Sequence, residues 1–211
     1  MTAERLNSEL EGKDAETVIR RAWDVFGTSL VFATSLAAED QVITEIIARN
    51  RWPIPLVTLD TGRLFPETYA LLAETERRYG VKIRVFFPDQ ARVEALVADK
   101  GINLFYDSVE NRKACCQVRK LEPLKRALAP YRAWICGLRR EQSVTRTQIR
   151  TVEDDAAHGK LKVNPLAGWS EAEVLAMYQE EFPTDSRADR RVKLRQRQID
   201  LIQRLQAQAA E

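Results

Sequence analysis

The chain has 211 residues, of which 30% are charged and 45% hydrophobic, and Lys+Arg 33 against Asp+Glu 31 leaves a formal net charge of +2. Such a length fits one large domain, or a domain with a short appendage, able to bury roughly 70–75% of its unfolded surface without disulfide staples. The balanced charge argues against nucleic acid as a partner, and the 3 cysteines fit a reducing interior better than a secreted disulfide framework. Neither the first residues nor any apolar run suits a signal peptide or a membrane span, so the expected compartment is the cytoplasm, with no membrane partner.

Residues 14–26 set Val18, Ile19, Ala22, Val25 and Phe26 on one face and predict a helix. Residues 29–33 form a short apolar run ending at Thr34 and Ser35, which suggests a buried strand, and helical spacing returns through Val42, Ile43, Ile46 and Ile47. A second strand is expected over residues 55–59, stopped by Asp60, Thr61 and Gly62. Residues 66–79 read as helix, with Pro66 in the first turn and Gly80 as C-cap. Residues 81–87 alternate like a strand ended by Pro88, and a helix over residues 90–100 is closed by Gly101. Residues 113–128 suggest helix or turn, and residues 133–136 another buried strand ending at Gly137. The acidic stretch 151–162 reads as a loop or hairpin, and Ser170 opens a capped helix.

Strands alternating with helices of about 10–15 residues imply an α/β protein with a doubly wound parallel sheet covered on both faces. From Asp185 the composition shifts: Arg187, Arg190, Arg191, Lys193, Arg195 and Arg197 crowd together ahead of Ile199, Ile202 and Leu205. This predicts a domain over residues 1–183 and a basic helical tail over residues 184–211. The tail reads as a solvated surface helix, with partner contact as the alternative.

In parallel α/β sheets, ligands bind where strands end and helices begin, and three such ends carry polar residues. After the first strand, Ser35, Glu39 and Asp40 lie in a small-residue turn suited to an anion, although an ordinary N-cap explains it as well. No Walker-type Gly-Lys-Ser/Thr ending is present. After the second, Asp60 could bond a ribose hydroxyl or an adenine amino group, and Gly62 would let backbone approach a ligand; a plain turn and N-cap is the other reading. After Gly137, Arg139 and Arg140 suit phosphate or sulfate through their planar donors. Finally, Cys115 and Cys116 are adjacent, their Cα atoms about 3.8 Å apart, whereas unstrained disulfides want about 4.4–6.8 Å. With Lys113, Arg119 and Lys120 around them, they read as half of a metal or cluster site.

Five strings together resemble one family: residues 35–40, residues 59–69 (Leu-Asp-Thr-Gly-Arg-Leu-Phe-Pro-Glu-Thr-Tyr), residues 115–124 (Cys-Cys-Gln-Val-Arg-Lys-Leu-Glu-Pro-Leu), residues 137–143 (Gly-Leu-Arg-Arg-Glu-Gln-Ser) and residues 162–166 (Lys-Val-Asn-Pro-Leu). In order and spacing, from about residue 15 to residue 183, they are similar to the assimilatory adenylyl-sulfate reductases. These are relatives of the phosphoadenylyl-sulfate reductases, with an adenine-nucleotide α-hydrolase-like, Rossmann-like fold. The resemblance implies that a cysteine thiolate attacks the sulfur of adenosine 5′-phosphosulfate, expelling AMP and leaving an enzyme S-sulfonate, from which thioredoxin or glutaredoxin releases sulfite. It implies that Ser35, Glu39 and Asp40 lie in the nucleotide loop, that Asp60, Thr61, Gly62 and Arg63 help hold the adenosine, and that Lys120 and Arg139 or Arg140 meet phosphate and sulfate. Cys115 and Cys116 would supply two of four ligands to a [4Fe-4S] cluster, and such tandem cysteines mark the form preferring a substrate without a 3′-phosphate. A homo-oligomer is left open.

The sequence departs from the family in three ways. Leu36 and Ala37 replace Phe-Gly, which would cost about 1 kcal/mol if that glycine has positive φ. The second Cys-x-x-Cys, and the final Glu-Cys-Gly-Leu-His with its nucleophile, have no counterpart. Cys136 stands where relatives carry Thr, and reads as a small buried filler with substitute nucleophile as the lesser alternative; no other catalytic residue is assigned. His158 reads as a surface residue without a partner. A non-catalytic nucleotide-binding protein, or a truncated product, is therefore the alternative function.

Overall fold

Short apolar runs separated by helices pair side by side because each run buries both of its faces. In the computed structural model, which describes residues 2–142 and 148–181, β1 (Leu30–Ala33), β2 (Leu56–Leu59), β3 (Ile83–Phe86), β4 (Ala133–Ile135), β5 (Val152–Asp155) and β6 (Lys160–Val163) form one sheet. The strand order is β3-β2-β1-β4-β6-β5. Every neighbouring pair is parallel except β5 with β6. The stretch expected as a loop or hairpin is thus a hairpin, and its first strand forms an antiparallel edge.

Successive strand residues face opposite sides of the sheet, and the core divides accordingly. Leu30, Phe32, Leu56, Ile83, Ala133, Ile135 and Val163 join the larger cluster. There they meet α1 (Ala3–Leu10), α2 (Ala15–Phe26), α3 (Ala38–Arg49) and α8 (Glu171–Glu181), all of which contribute buried residues to it. Val31 and Val57 face the other way, against Ala127 and Leu128 of α7 (Glu122–Leu128). The remaining helices are α4 (Pro66–Tyr79), α5 (Gln90–Lys100) and α6 (Val109–Cys116). A π-helical turn, Gln117–Leu121, joins α6 to α7.

The predicted stops operate as read. Asp14, read only as the first residue of a helix, caps α2 by accepting from Thr17 N–H at 2.8 Å. Pro66 opens α4, and Gly80 ends it at φ 62°. Helix α1 was not foreseen: it is eight residues long, too short to hold by propensity alone. Tertiary contact holds it, since buried Asn7 presents Oδ1 to the outward-pointing N–H of Val152 at 3.0 Å. That bond satisfies a donor of the edge strand that would otherwise be orphaned.

His158 has a partner, contrary to the expectation of a surface residue without one. Its Nδ1 lies 2.6 Å from Asp155 Oδ2, which also accepts from Trp134 Nε1 at 3.0 Å. The β5–β6 turn folds the imidazole back over the sheet, edge-on to the Trp134 indole. Among the described residues, no helix is long and apolar enough to cross a membrane. The basic tail from Asp185, the boundary placed at residues 183 and 184, and Ser143 of the arginine string lie outside the described residues.

Asn7→Ala leaves Val152 N–H buried without its acceptor. It should lower the unfolding free energy by about 1–3 kcal/mol, read in urea titration as a lower midpoint at unchanged m.

Candidate functional site

From β1 the chain proceeds outward through β2 to β3, then returns to place β4 on the other flank of β1. The turns after β1 and β4 therefore lie side by side at the C-terminal rim of the sheet, where the strand order reverses and α/β proteins receive ligands.

The turn after β1 is held by its own polar groups. Ser35 N–H and Oγ–H both donate to Asp40 Oδ2 at 2.6 Å, and Leu36 N–H donates to Thr34 Oγ1 at 3.0 Å. The left-handed residue is Leu36, at φ 62°, with its side chain buried in the core. Ala37 sits at φ −70° and ψ 168°, ordinary extended backbone, so the strain expected of an alanine at that position falls on its neighbour. Ala37 gives α3 no side-chain cap, and the first N–H groups of a helix have no partner within the helix itself. Asp40 is buried, and burial pushes its carboxyl up to about 6 despite the Ser35 donors and the Gly137 N–H that favour the charged form. The β4 turn presses directly on this carboxylate. A Cβ on Gly137 would collide with Asp40 Oδ1 and come within 2.9 Å of Glu39 Cβ, so only glycine fits.

Beyond Gly137, the two arginines read as anion ligands turn inward. Arg139 is 3% exposed. Its Nε and Nη2 each donate to Glu39 Oε1 at 3.1 Å, and Nη1 donates to Trp169 O at 3.3 Å. Arg140 donates Nε–H to Ile149 O at 2.7 Å. Cys136, the substitute nucleophile considered above, points into the protein: it is buried, and its Sγ–H donates to Asn164 Oδ1 at 3.1 Å. Burial pushes its thiol up to about 12, beyond what nearby Lys162 offsets. A thiol so held is protonated at neutral pH and is no nucleophile.

The turn after β2 is also tied internally. Asp60 is buried, Oδ1 accepting from Gly62 N–H at 2.8 Å and Oδ2 from Tyr69 O–H at 2.8 Å. Thr61 Oγ1 accepts from Arg63 N–H at 3.3 Å. The Arg63 guanidinium reaches away to Asn103 Oδ1 at 2.8 Å and lies 4.9 Å from the Phe105 ring centroid. Arg119, not singled out as a site residue, is buried and donates Nη1–H to Thr61 O at 2.8 Å. Gly62, at φ 69°, leaves it room, since a Cβ there would stand 3.1 Å from that nitrogen. The available signal was spacing: Arg119 follows Cys115 by four helical residues, and both are buried. Lys120, next in the chain, is exposed and has no ion pair or hydrogen bond among the described residues.

The structure thus brings Ser35, Glu39, Asp40 and Arg139 together, and separately links Asp60, Thr61, Gly62 and Arg63 to the helix bearing Cys115 and Cys116. The first two strand ends are joined by Thr58 Oγ1–H, which donates to Thr34 O at 2.8 Å. Cys115 is buried and Cys116 partly exposed; both thiols are free, as is Cys136. Among the described residues no group of three or more His, Cys, Asp or Glu gathers to hold a metal ion. A [4Fe-4S] cluster takes four thiolates in its ordinary form, and with 3 cysteines, one turned toward Asn164, this chain does not supply that set.

A parallel sheet with a small-residue turn feeding an uncapped helix at its switch point defines an adenine-nucleotide α-hydrolase-like protein. The Candida glabrata FMN adenylyltransferase structure, in complex with ATP, shares the fold at TM-score 0.53, 15% identity, 82% of this chain and 53% of that one. The chain belongs to the phosphoadenosine phosphosulfate reductase family, whose domain matches residues 29–183. It is similar to the phosphate complex of phosphoadenylyl-sulfate reductase from Candida auris, with TM-score 0.72 and 26% identity over 87% of this chain and 86% of that one. It is also similar to the adenosine 5′-phosphosulfate reductase of Allochromatium vinosum, 57% identical over 148 residues, or 70% of this chain. The chain spans 58% of that relative's length.

Asp40 predicts a pH dependence. Because its carboxyl is raised from 3.8 to about 6, the folded state binds a proton that the unfolded chain has released between those values. Stability therefore falls as pH rises through this window, by up to roughly 3 kcal/mol. Urea midpoints at pH 4 and pH 7 should show the fall, and Asp40→Asn should flatten it whatever its overall offset.

Proposed function

We propose that the chain binds adenosine 5′-phosphosulfate at the β1–β4 rim and serves its reduction to sulfite and AMP, with thioredoxin or glutaredoxin as electron donor. One observation carries this reading. At the switch point, α3 begins without a side-chain cap, beside a turn of small residues, and such a terminus attracts an anion through free N–H groups and the helix dipole. Support comes from the name of the Allochromatium vinosum relative and from the phosphate bound by the Candida auris protein.

In this proposal Ser35, Glu39 and Asp40 shape the turn that receives the phosphate. Asp60, Thr61, Gly62 and Arg63 form the wall that receives the adenosine, and Lys120 supplies the unpaired cation for the sulfate. Arg139 acts indirectly, since its three nitrogens are engaged within the protein, while Arg140 commits only its Nε to Ile149 O. The reaction forms a bond from a thiolate to the sulfate sulfur and breaks the bond from that sulfur to the phosphate oxygen, so AMP leaves. A dithiol then displaces sulfite and ends as its own disulfide. Cys136 is unsuited to the first step, and binding without turnover is the second reading, favoured by its burial. The free thiols accord with a reducing compartment, the cytoplasm.

Calorimetric titration of the full chain should give Kd values of about 1–100 μM for AMP and adenosine 5′-phosphosulfate. Lys120→Ala should weaken the phosphosulfate by about tenfold more than it weakens adenosine, roughly 1.4 kcal/mol. No heat with either nucleotide removes the proposal. Nucleotide binding without sulfite release from reduced thioredoxin selects the second reading. Anaerobic iron analysis should find well under four irons per chain; four would mean ligands supplied from outside it.

A further inference from the structure

We infer that Arg139, Glu39 and Gln142 form a strut, buried at Arg139, that positions the nucleotide turn, Arg139 setting affinity for the phosphate end of the nucleotide without touching it. The inference rests on the nucleotide-binding reading above and goes beyond it by giving these residues a role other than anion contact.

An arginine that reads a phosphate must turn one edge of its guanidinium toward the ligand. Arg139 presents no such edge. It is 3% exposed, two of its nitrogens bind Glu39 Oε1, and the third binds Trp169 O with Glu141 Oε2 at 3.8 Å. The same Glu39 oxygen accepts a further bond from Gln142 Nε2 at 2.8 Å. Gln142 also closes back on its own turn, Nε2–H donating to Gly137 O at 3.3 Å and Oε1 accepting from Arg139 N–H at 3.3 Å. One carboxylate oxygen in the first turn of α3 is thus gripped by three N–H groups, all from residues 139–142.

Glu39 adjoins Asp40, and Asp40 alone receives both Ser35 donors. The mechanical path therefore runs from Trp169 O through Arg139 and Glu39 to Asp40 and Ser35. Leu36, held at φ 62° within that turn, stores backbone strain that a displaced first turn of α3 would release. The contact at Gly137 fixes how closely the two turns approach, and the strut fixes their orientation. Gripped this way, the first-turn N–H groups meet a ligand already aligned, which lowers the ordering cost of binding.

The test compares AMP with adenosine on the full chain, for the native protein, Arg139→Lys and Gln142→Ala. A strut on the turn that receives the phosphate requires both variants to weaken AMP more than adenosine, by about fivefold or more for Gln142→Ala, which loses its bonds to Glu39, Gly137 O and Arg139 N–H. It also requires amide exchange at residues 35–40 to quicken in the ligand-free variants. The inference is overturned if Arg139→Lys weakens AMP while exchange at residues 35–40 stays as in the native protein, because the guanidinium then contacts phosphate without bracing the turn. Should Arg139→Lys not fold, Gln142→Ala carries the test, since it leaves the ion pair intact. If the native chain binds neither ligand, the nucleotide reading fails by itself, and exchange decides the strut: faster rates at residues 35–40 in Gln142→Ala retain it, unchanged rates remove it.

Discussion

Asp40 can sit beneath the rim only because Gly137 has no side chain. Parallel neighbours such as β1 and β4 run about 4.8 Å apart, and Phe32 pairs with Ile135 just before both strands end. Any Cβ at position 137 would occupy the space taken by the carboxylate and by Glu39. With glycine there, Asp40 gathers Ser35 N–H, Ser35 O–H and the Gly137 N–H, and the turn after β1 has one shape. Burying a carboxylate opposes folding unless hydrogen bonds compensate. Three donors compensate only in part, as the raised proton affinity of Asp40 shows. Stability is thus given up at the rim for a fixed turn, the pattern expected where a ligand is received.

The turn after β2 follows the same plan with different groups. Asp60 again spends both carboxylate oxygens locally, and a glycine again admits a neighbour, here the Arg119 guanidinium. Arg119 is anchored to Thr61 O, so the helical stretch carrying Cys115, Cys116 and Lys120 is tied to the turn after β2. Arginine suits such buried bracing because its planar donors match carbonyls and carboxylates in fixed directions. Lysine, a compact and strongly hydrated charge, is the residue left facing outward at position 120. Chemical type thus accords with two buried braces, Arg119 and Arg139, and one exposed cation, Lys120.

Much of this fold was legible because burial leaves a periodic trace. The apolar runs of β1, β2 and β4, the amphipathic faces of α2 and α3, and the end signals Pro66, Gly80 and Gly101 are all local properties. Helix α1 left no such trace, since Asn7 matters only through its bond to Val152, 145 residues away. The β5–β6 hairpin was ambiguous because Glu153, Asp154 and Asp155 mark polar surface equally well in a strand or a loop. At the site, sequence gave residue types at strand ends but not their directions. Asp60 and Arg139 have the chemistry to hold a ligand, yet their partners Tyr69 and Glu39 lie 9 and 100 residues distant. The left-handed residue was misplaced by one position, since Leu36 rather than Ala37 turns the chain.

The polar braces of the rim and the thiols occupy different parts of this chain. The rim is braced from β1, β2 and β4 by bonds that do not depend on any thiol. The cysteines, by contrast, do not converge: Cys115 and Cys116 ride on α6, while Cys136 ends β4 and donates to Asn164. At neutral pH a thiol pushed up to about 12 is ionised in only roughly one molecule in 10⁵, so Cys136 contributes packing and a hydrogen bond in place of reactivity. If the rim receives a nucleotide as proposed, its affinity should follow the braces at Asp40, Asp60 and Glu39, and any electron transfer should vary independently with a separate, exposed thiolate.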